Sequence, residues 1–347
     1  MKNNNFFKVV SLLCCLIFIL PSCAKTRKYS ETYLDYFDTV TSFTVYGVTK
    51  KEAEYAIQAL EGELERYHRR FDIYNEYDGI ANLKSVNDSA GISPVCVDGE
   101  LIELLEYGVS VHSITSGYVN IAMGSVLKLW HNCRKEANTS PESAKIPDEA
   151  ALREAALHTD IKNININADK GEVYISDKQT AIDVGAIAKG YVAQRIFETL
   201  KALGYKNFVL SIGGNVIAAG YKEKDLPWQV GVDNPSDTSK TLCSLSLTDK
   251  SLVTSGSYQR YYTVDGNRYH HIIDPFTLVP KNDFLSVSVI SEDSALADAM
   301  STALFNMPYD MGAELVLKTD GLEAMWVTRD GEILYSENFK SYIITER

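Results

Sequence analysis

Asp298 and Thr302 stand four residues apart in "LADAMSTALF", a spacing that puts both on one face of a helix. A carboxylate and a hydroxyl oxygen are hard ligands suited to Mg²⁺, which takes few protein groups and keeps room for water or phosphate oxygens. Such a pair also occurs on ordinary solvated helix faces. Here, however, the neighbours are Ala295, Leu296, Ala297, Ala299, Met300, Ala303 and Leu304, and a carboxylate in such apolar company needs a partner. A second group lies in "IDVGAIAKG". Asp183 precedes a small-residue turn, and Lys189 sits in the first turns of the helix that follows. Backbone N–H groups at such a turn can approach a phosphate; Asp183 can accept from a ligand or simply cap the helix. The third group, "VTSGSYQRYYTVDGNRYHHIIDP", joins a polar corner at Ser255 and Gly256 to Arg260 and the adjacent His270 and His271. Strand side chains alternate, so the two histidines point to opposite faces and at most one serves a given pocket. A surface hairpin with a satisfied histidine is the alternative. Neither GxGxxG, GxxxxGK[ST] nor HExxH occurs.

These residues need elements to hold them. "FDTVTSFTVYG" alternates as a strand, and the spacing of Ala53, Ile57, Leu60 and Leu64 predicts a helix. "YNEYDGIANLKSVND" reads as a loop, "ELIELLEYGVSVHSITSG" as a helix ending at Gly117, and residues 131–150 as an exposed polar excursion. Strands follow at "INININ" and "EVYIS". A strand ending at Ile182 then leads into a helix with Ile187, Tyr191, Ile196, Leu200 and Leu203 on its apolar stripe, stopped by Gly204. "NFVLSIGGNVIAAG" reads as strand, turn, strand; "WQVGVDNP", "TLCSLSLTD", "SLVTSG" and "FLSVSVIS" read as further strands. Asp265-Gly266 fits a type I′ hairpin turn. Ser294 is the expected N-cap of the helix carrying Asp298, and "GLEAMWVTRDGEILYS" reads as a final hairpin. Strands mixed with helices, without a regular βαβ rhythm, predict an α+β fold.

Composition excludes some partners. The formal charge of −12 argues against nucleic acid, so an anionic ligand must be held by local devices. Val9–Leu20 is apolar apart from Ser11 and is flanked by Lys2 and Lys8. It has the length of a signal-peptide core and is too short to span a bilayer as a helix. The "LPSC" that follows resembles a bacterial lipobox. That predicts a lipoprotein signal peptide at residues 1–22, lipid on Cys23 and a polar tether at residues 23–35. Cys96, Cys133 and Cys243 are too few and too scattered for a disulfide framework or zinc ribbon, although one bridge is possible.

The ordered motifs together resemble the ApbE family of FAD:protein FMN transferases. "FDTVTSFTVYG" is similar to that family's opening strand, with Phe37 and Asp38 in place of Met and Gly. "FDIYNEYDGIANLKSVN" resembles its tyrosine-bearing loop, and "SGYVNIAMGSVLKLW" its Gly-x-x-Asp segment. "IDVGAIAKGY", "LSIGGNVIAAG", "WQVGVDNP", the His-His hairpin and "LADAMSTALF" follow in the family's order. The resemblance implies one large ApbE-like, T-fold-like domain at residues 36–345, with mixed and antiparallel sheets and packed helices. It implies Mg²⁺ on Asp298, Thr302 and the Ala186 carbonyl. FAD, as substrate, would lie against Phe37, Asp72, Ile73, Tyr74, Tyr118, Val119, Asn120, Asp183, Lys189, Ser255, Gly256, Arg260 and Ile272. His271 would be the base, with His270 structural. Three departures stand out. Asn120 replaces an Asp. Leu278 replaces the Gly of an Asp-Pro-x-Thr-Gly turn, which predicts a reshaped turn. Ser301 stands where some members carry a second carboxylate, which favours one tightly held metal ion over two.

The implied reaction moves FMN from FAD to a Thr or Ser hydroxyl of an acceptor protein and releases AMP. The implied acceptors are flavin-carrying subunits of membrane redox complexes and other extracytoplasmic flavoproteins. The implied place is the bacterial cell envelope, lipid-anchored to the inner membrane and facing the periplasm. Two rivals use overlapping residues: an FAD pyrophosphatase, in which water replaces the acceptor, and a non-enzymatic flavin-binding lipoprotein.

Overall fold

The computed structural model describes residues 27–346; the leader and Cys23 lie outside them. The first half runs β1 (Lys28–Tyr33), β2 (Thr41–Tyr46), α1 (Lys50–Phe71), α2 (Leu83–Asp88), β3 (Val95–Cys96), α3 (Gly99–Ile114), α4 (Gly124–Thr139), α5 (Glu149–Ala156), β4 (Ile164–Asn167), β5 (Glu172–Ile175) and α6 (Ala188–Ala202). The second half continues with β6 (Phe208–Ile212), β7 (Asn215–Ala219), β8 (Trp228–Asn234), β9 (Asp237–Leu247), β10 (Lys250–Gly256), β11 (Tyr261–Val264) and β12 (Asn267–His270). It closes with β13 (Phe284–Ser291), α7 (Ser294–Asn306), α8 (Tyr309–Lys318), β14 (Glu323–Thr328), β15 (Ile333–Tyr335) and β16 (Ile343–Glu346).

An eight-stranded sheet in the order β1-β2-β6-β7-β10-β13-β14-β15 forms the centre, and every pairing in it is antiparallel. Its two faces are both covered. Alternate residues such as Phe43, Leu210, Val287, Val289 and Trp326 pack toward the helices. The intervening Ala218, Leu252, Ile290 and Met325 pack with Trp228, Leu245 and Phe339 on the three-stranded sheet β16-β9-β8. Burial on both sides leaves every residue of β13 buried except the half-buried Leu285, so that even Ser286, Ser288 and Ser291 are enclosed. The fold is α+β, as the mixture of strands and helices predicts.

Several local expectations change. Lys28–Tyr33, within the segment expected to be a tether, pairs along the whole of β2. Leu83–Asp88 is helical, because Asn82 and Ser85 form a reciprocal capping box. Residues 131–139 continue α4 instead of forming an excursion: Val126, Trp130, Cys133 and Ala137 supply a buried stripe that the polar residues between them mask. Asp293, not Ser294, caps α7, its carboxylate accepting from the N–H groups of Ala295 and Leu296 at 2.7 and 3.2 Å. Leu203 is exposed beyond the apolar stripe of α6. Cys133 and Cys243 are buried in separate clusters, and the thiols of Cys96 and Cys133 are free. Among the described residues no helix is long and apolar enough to cross a membrane.

Candidate active site

The crossing of α6 and α7 builds the floor. Gly190 has no side chain because none fits: a Cβ there would lie 2.3 Å from both Asp298 Cβ and the Ser294 carbonyl oxygen. That close approach lets the Gly190 N–H donate to Asp298 Oδ2 at 2.7 Å. Gly190 is the third residue of α6, so its N–H has no acceptor within the helix and Asp298 supplies one. Ala186, just before the helix, receives no backbone N–H among the described residues, while Tyr191 and Ala188 donate to Ile187 and Val184. Asp298 is only 4% exposed. Burial pushes its carboxyl above the usual range, opposed by Lys189 nearby. Thr302 lies one turn further on α7, and its hydroxyl is 3.5 Å from Ser255 Oγ, which also bonds Ser301 Oγ at 2.8 Å. The oxygen donors near the start of α6 are therefore a carboxylate, hydroxyls and the carbonyl of Ala186, which precedes the helix. Among the described residues no cluster of three or more His, Cys, Asp or Glu side chains suits a metal. An all-oxygen set with few charges fits a hard cation such as Mg²⁺.

The hairpin β11–β12 makes one wall. Asp265 and Gly266 both take positive φ, 49° and 79°, as a type I′ turn requires. His270 is buried, with Nε2 2.8 Å from the Lys281 carbonyl, Nδ1 accepting from the Ile272 N–H, and its ring edge-on to Phe305. Its contacts are structural. Ile272 is buried beside it and holds the strand end in place. His271 faces the other way. Its N–H donates to the Arg260 carbonyl at 3.0 Å, and Nδ1 lies 3.3 Å from the same oxygen. Burial, then Lys189, Arg260 and Arg134, push its pKa down to about 3, so the imidazole is neutral at neutral pH. With Nδ1–H donated to Arg260, Nε2 keeps the free lone pair.

The aromatic side of the site rests on Asp72. Burial raises its carboxyl, but hydrogen bonds from Asn75, Tyr74 and Tyr77 more than offset that and leave it below the usual range. Asp72 therefore shapes the loop from within. Ile73 is half-buried against the core, and Tyr74 is exposed, with its ring 5.5 Å from that of His131. Phe37 packs edge-on to His68 and Asp38 follows it, both with positive φ, 55° and 50°. The Asp38 carbonyl accepts from Arg260 at 2.8 Å. Opposite, Tyr118 packs edge-on to Phe276, with ring centroids 4.8 Å apart, and Val119 is buried behind it. Asp183 joins the two halves: its N–H donates to Ile121, its carboxylate accepts from the Gly185 N–H at 2.8 Å, and burial raises its pKa against the pull of His131 and Lys189. Gly256 ends β10 under the Tyr258 ring, which a Cβ would strike at 2.5 Å.

With this geometry in place, the sequence pattern of the ApbE family matches residues 37–326. This chain belongs to the ApbE family. It is 32% identical to the FAD:protein FMN transferase of Treponema pallidum (strain Nichols), over 96% of this chain and 94% of that protein. It is 24% identical to the FAD:protein FMN transferase of Escherichia coli (strain K12), over 99% of each. Its structure resembles the ApbE protein of Thermotoga maritima with a TM-score of 0.80 and 30% identity, covering 92% of this chain and 100% of that one. The flavin transferase ApbE of Vibrio cholerae shares the fold, with a TM-score of 0.76 at 20% identity over 91% of this chain and 99% of that one.

Two departures of this ApbE chain have visible reasons. The Asn120 amide donates to the Thr159 carbonyl at 2.9 Å while its oxygen accepts from the Ala122 N–H at 2.9 Å; its polar atoms are used within the protein. A carboxylate could make only the second bond. Asn120→Asp is expected to lower stability by about 1–3 kcal/mol at neutral pH, read as a fall in Tm that shrinks once acid protonates the new carboxyl. Leu278 itself adopts the left-handed conformation, φ 64°. The turn thus keeps a glycine-like backbone instead of being reshaped. Asp274 and Trp130 hold it there, accepting from the Phe276 N–H at 2.8 Å and donating to the Leu278 carbonyl at 2.8 Å respectively.

The site also contains residues that spacing did not reveal. Arg134 and His131 come from the segment expected to be an exposed excursion. Asn215, at the start of β7, is 2% exposed, and its side-chain amide lies beside the Asp298 carboxylate and helps to oppose the rise in its pKa. The "GGN" turn was the available signal for Asn215; nothing local marks Arg134.

Proposed function

We propose that this protein is a flavin transferase that takes FMN from FAD and attaches it to a Thr or Ser hydroxyl of an acceptor protein, with release of AMP. The observation that carries this reading is the close crossing of α6 and α7 at Gly190, whose N–H binds the buried Asp298 carboxylate at the start of α6, within electrostatic reach, through Lys189, of a neutral His271. Asp298, Thr302 and the Ala186 carbonyl would hold Mg²⁺, which when bound neutralises charge on pyrophosphate oxygens. Lys189 and Arg260 hold the anionic donor, and Tyr74 and Tyr118 offer ring surfaces to the flavin. His271 Nε2 takes the proton of the acceptor hydroxyl as its oxygen bonds to the FMN-side phosphorus. The phosphorus–oxygen bond to AMP breaks, and AMP leaves with the bonding electron pair. The lipobox-like "LPSC" supports anchoring through Cys23 on the periplasmic face of the inner membrane, where flavin-carrying subunits of membrane redox complexes would be the acceptors.

The test mixes the chain lacking its leader with FAD and Mg²⁺, with and without a threonine-bearing acceptor domain. AMP, free FMN and covalent flavin fluorescence on a denaturing gel are followed. Fluorescent acceptor with matching AMP is the expected outcome. Free FMN and AMP with no labelled acceptor would replace the transferase with a pyrophosphatase. FAD bound but unchanged beside a validated acceptor would reduce the protein to a flavin binder.

A further inference from the structure

Helix α4 brings an arginine to the site that makes no direct ion pair among the described residues, though Asp183 lies within electrostatic reach. Trp130 fixes the orientation of α4 by donating to the Leu278 carbonyl and stacking on Tyr269 of the hairpin, with ring centroids 5.9 Å apart. Arg134, one turn later, shares that face and so overlooks the hairpin that carries Arg260 and His271. It sits within electrostatic reach of Arg260, Tyr74, Tyr262 and Asp183. Its guanidinium bonds His131 Nδ1 at 3.3 Å. Burial, together with Arg134, keeps that imidazole neutral and able to accept.

The pairing elsewhere makes the contrast. Arg66, Arg69, Arg70, Arg153 and Arg195 each bind a carboxylate. Arg134 and Arg260 form no such ion pair among the described residues, and neither do Arg27, Arg268 and Arg329, but those three are exposed whereas Arg134 is half-buried and lies close enough to Arg260 for that charge to oppose its own. Two like charges, one of them half-buried, are costly together unless an anion lies between them. A guanidinium also offers donors in a fixed fork matched to phosphate. We infer that Arg134 is a further donor-binding residue, which with Arg260 grips the phosphate on the ribityl side of the flavin while His131 aligns its guanidinium beside Tyr74. This inference rests on the flavin-donor reading.

The experiment titrates wild type, Arg134→Lys and Arg134→Met with riboflavin, FMN and FAD, following flavin fluorescence at low and high salt. Riboflavin and FMN differ only in the phosphate. Arg134→Met is expected to weaken FMN and FAD by about 10- to 100-fold, to change riboflavin by less than about twofold, and to flatten the salt dependence of FMN binding. Arg134→Lys should fall between, since it keeps the charge and loses the fork. Equal losses for all three flavins would mean that Arg134 supports the ring or the pocket's shape, and would overturn the assignment. Unchanged binding of all three would overturn it too. A wild-type protein that binds none of them would overturn the flavin reading itself, and this inference with it.

Discussion

Asp298→Ala is expected to lower turnover by about 10³-fold or more, the rate equivalent of several kcal/mol, while leaving the chain folded. The carboxylate is buried and its pKa is raised by that burial, with Lys189 only partly opposing it. A group whose folded pKa lies above its unfolded value costs stability when ionised. For Asp298 the cost is present at neutral pH and disappears as acid protonates the folded carboxyl. Removing the carboxylate thus relieves the metal-free protein, though the Gly190 N–H then loses its acceptor.

A second readout separates the metal role from a structural one. Mg²⁺ should raise the Tm of wild type, because a ligand that binds only the folded state stabilises it, and should leave Asp298→Ala unchanged. Asp298→Asn is the control for shape. Its amide oxygen can still accept from Gly190, so stability should be kept while the Mg²⁺ response and turnover are lost. Wild-type turnover in either variant at saturating Mg²⁺ would remove Asp298 from the metal site.

What could be read from the sequence depended on whether the signal was local. Asp265-Gly266 announces its hairpin because both positive φ values are a local demand. Asp298 announces itself because a carboxylate among alanines and leucines has no other good reason to be there. Arg134 gave no such sign: "HNCRKEANT" is as polar as an exposed helix. Which of its side chains turns inward is decided by the docking of Trp130 on Leu278, 148 residues away in sequence. The same holds for Lys28–Tyr33, whose polar alternation becomes a strand only because β2 offers an edge. The Ala186 carbonyl was implied by family resemblance alone. What brings Asp298 to the start of α6, the close crossing of α6 and α7 at Gly190, is a tertiary fact that no spacing encodes.

His271→Ala should slow the chemical step by about 10²- to 10⁴-fold with little effect on the affinity for FAD, whereas His270→Ala should act mainly on stability. The assignment follows from the hydrogen bonds. Both nitrogens of His270 are engaged by backbone, at Lys281 and Ile272, so that ring holds the strand end and the turn after it. His271 binds backbone only through Nδ1. Its pKa, pushed down to about 3 by burial and by Lys189, Arg260 and Arg134, describes a ring kept neutral by surrounding positive charge. An anion that settles among those cations cancels part of that effect, so the His271 pKa should rise when FMN or pyrophosphate binds. A titration of the imidazole NMR signals with and without ligand measures this directly. The sign for stability is also fixed. The unfolded histidine takes up a proton below about 6.5 and the folded one resists it. Wild type should therefore lose stability as pH falls from about 6.5 toward about 3, and His271→Ala should lose less over the same window. Equal kinetic losses in the two histidine variants, or a His271 pKa indifferent to the anion, would leave the base without a residue and return the choice to the other groups around Arg260.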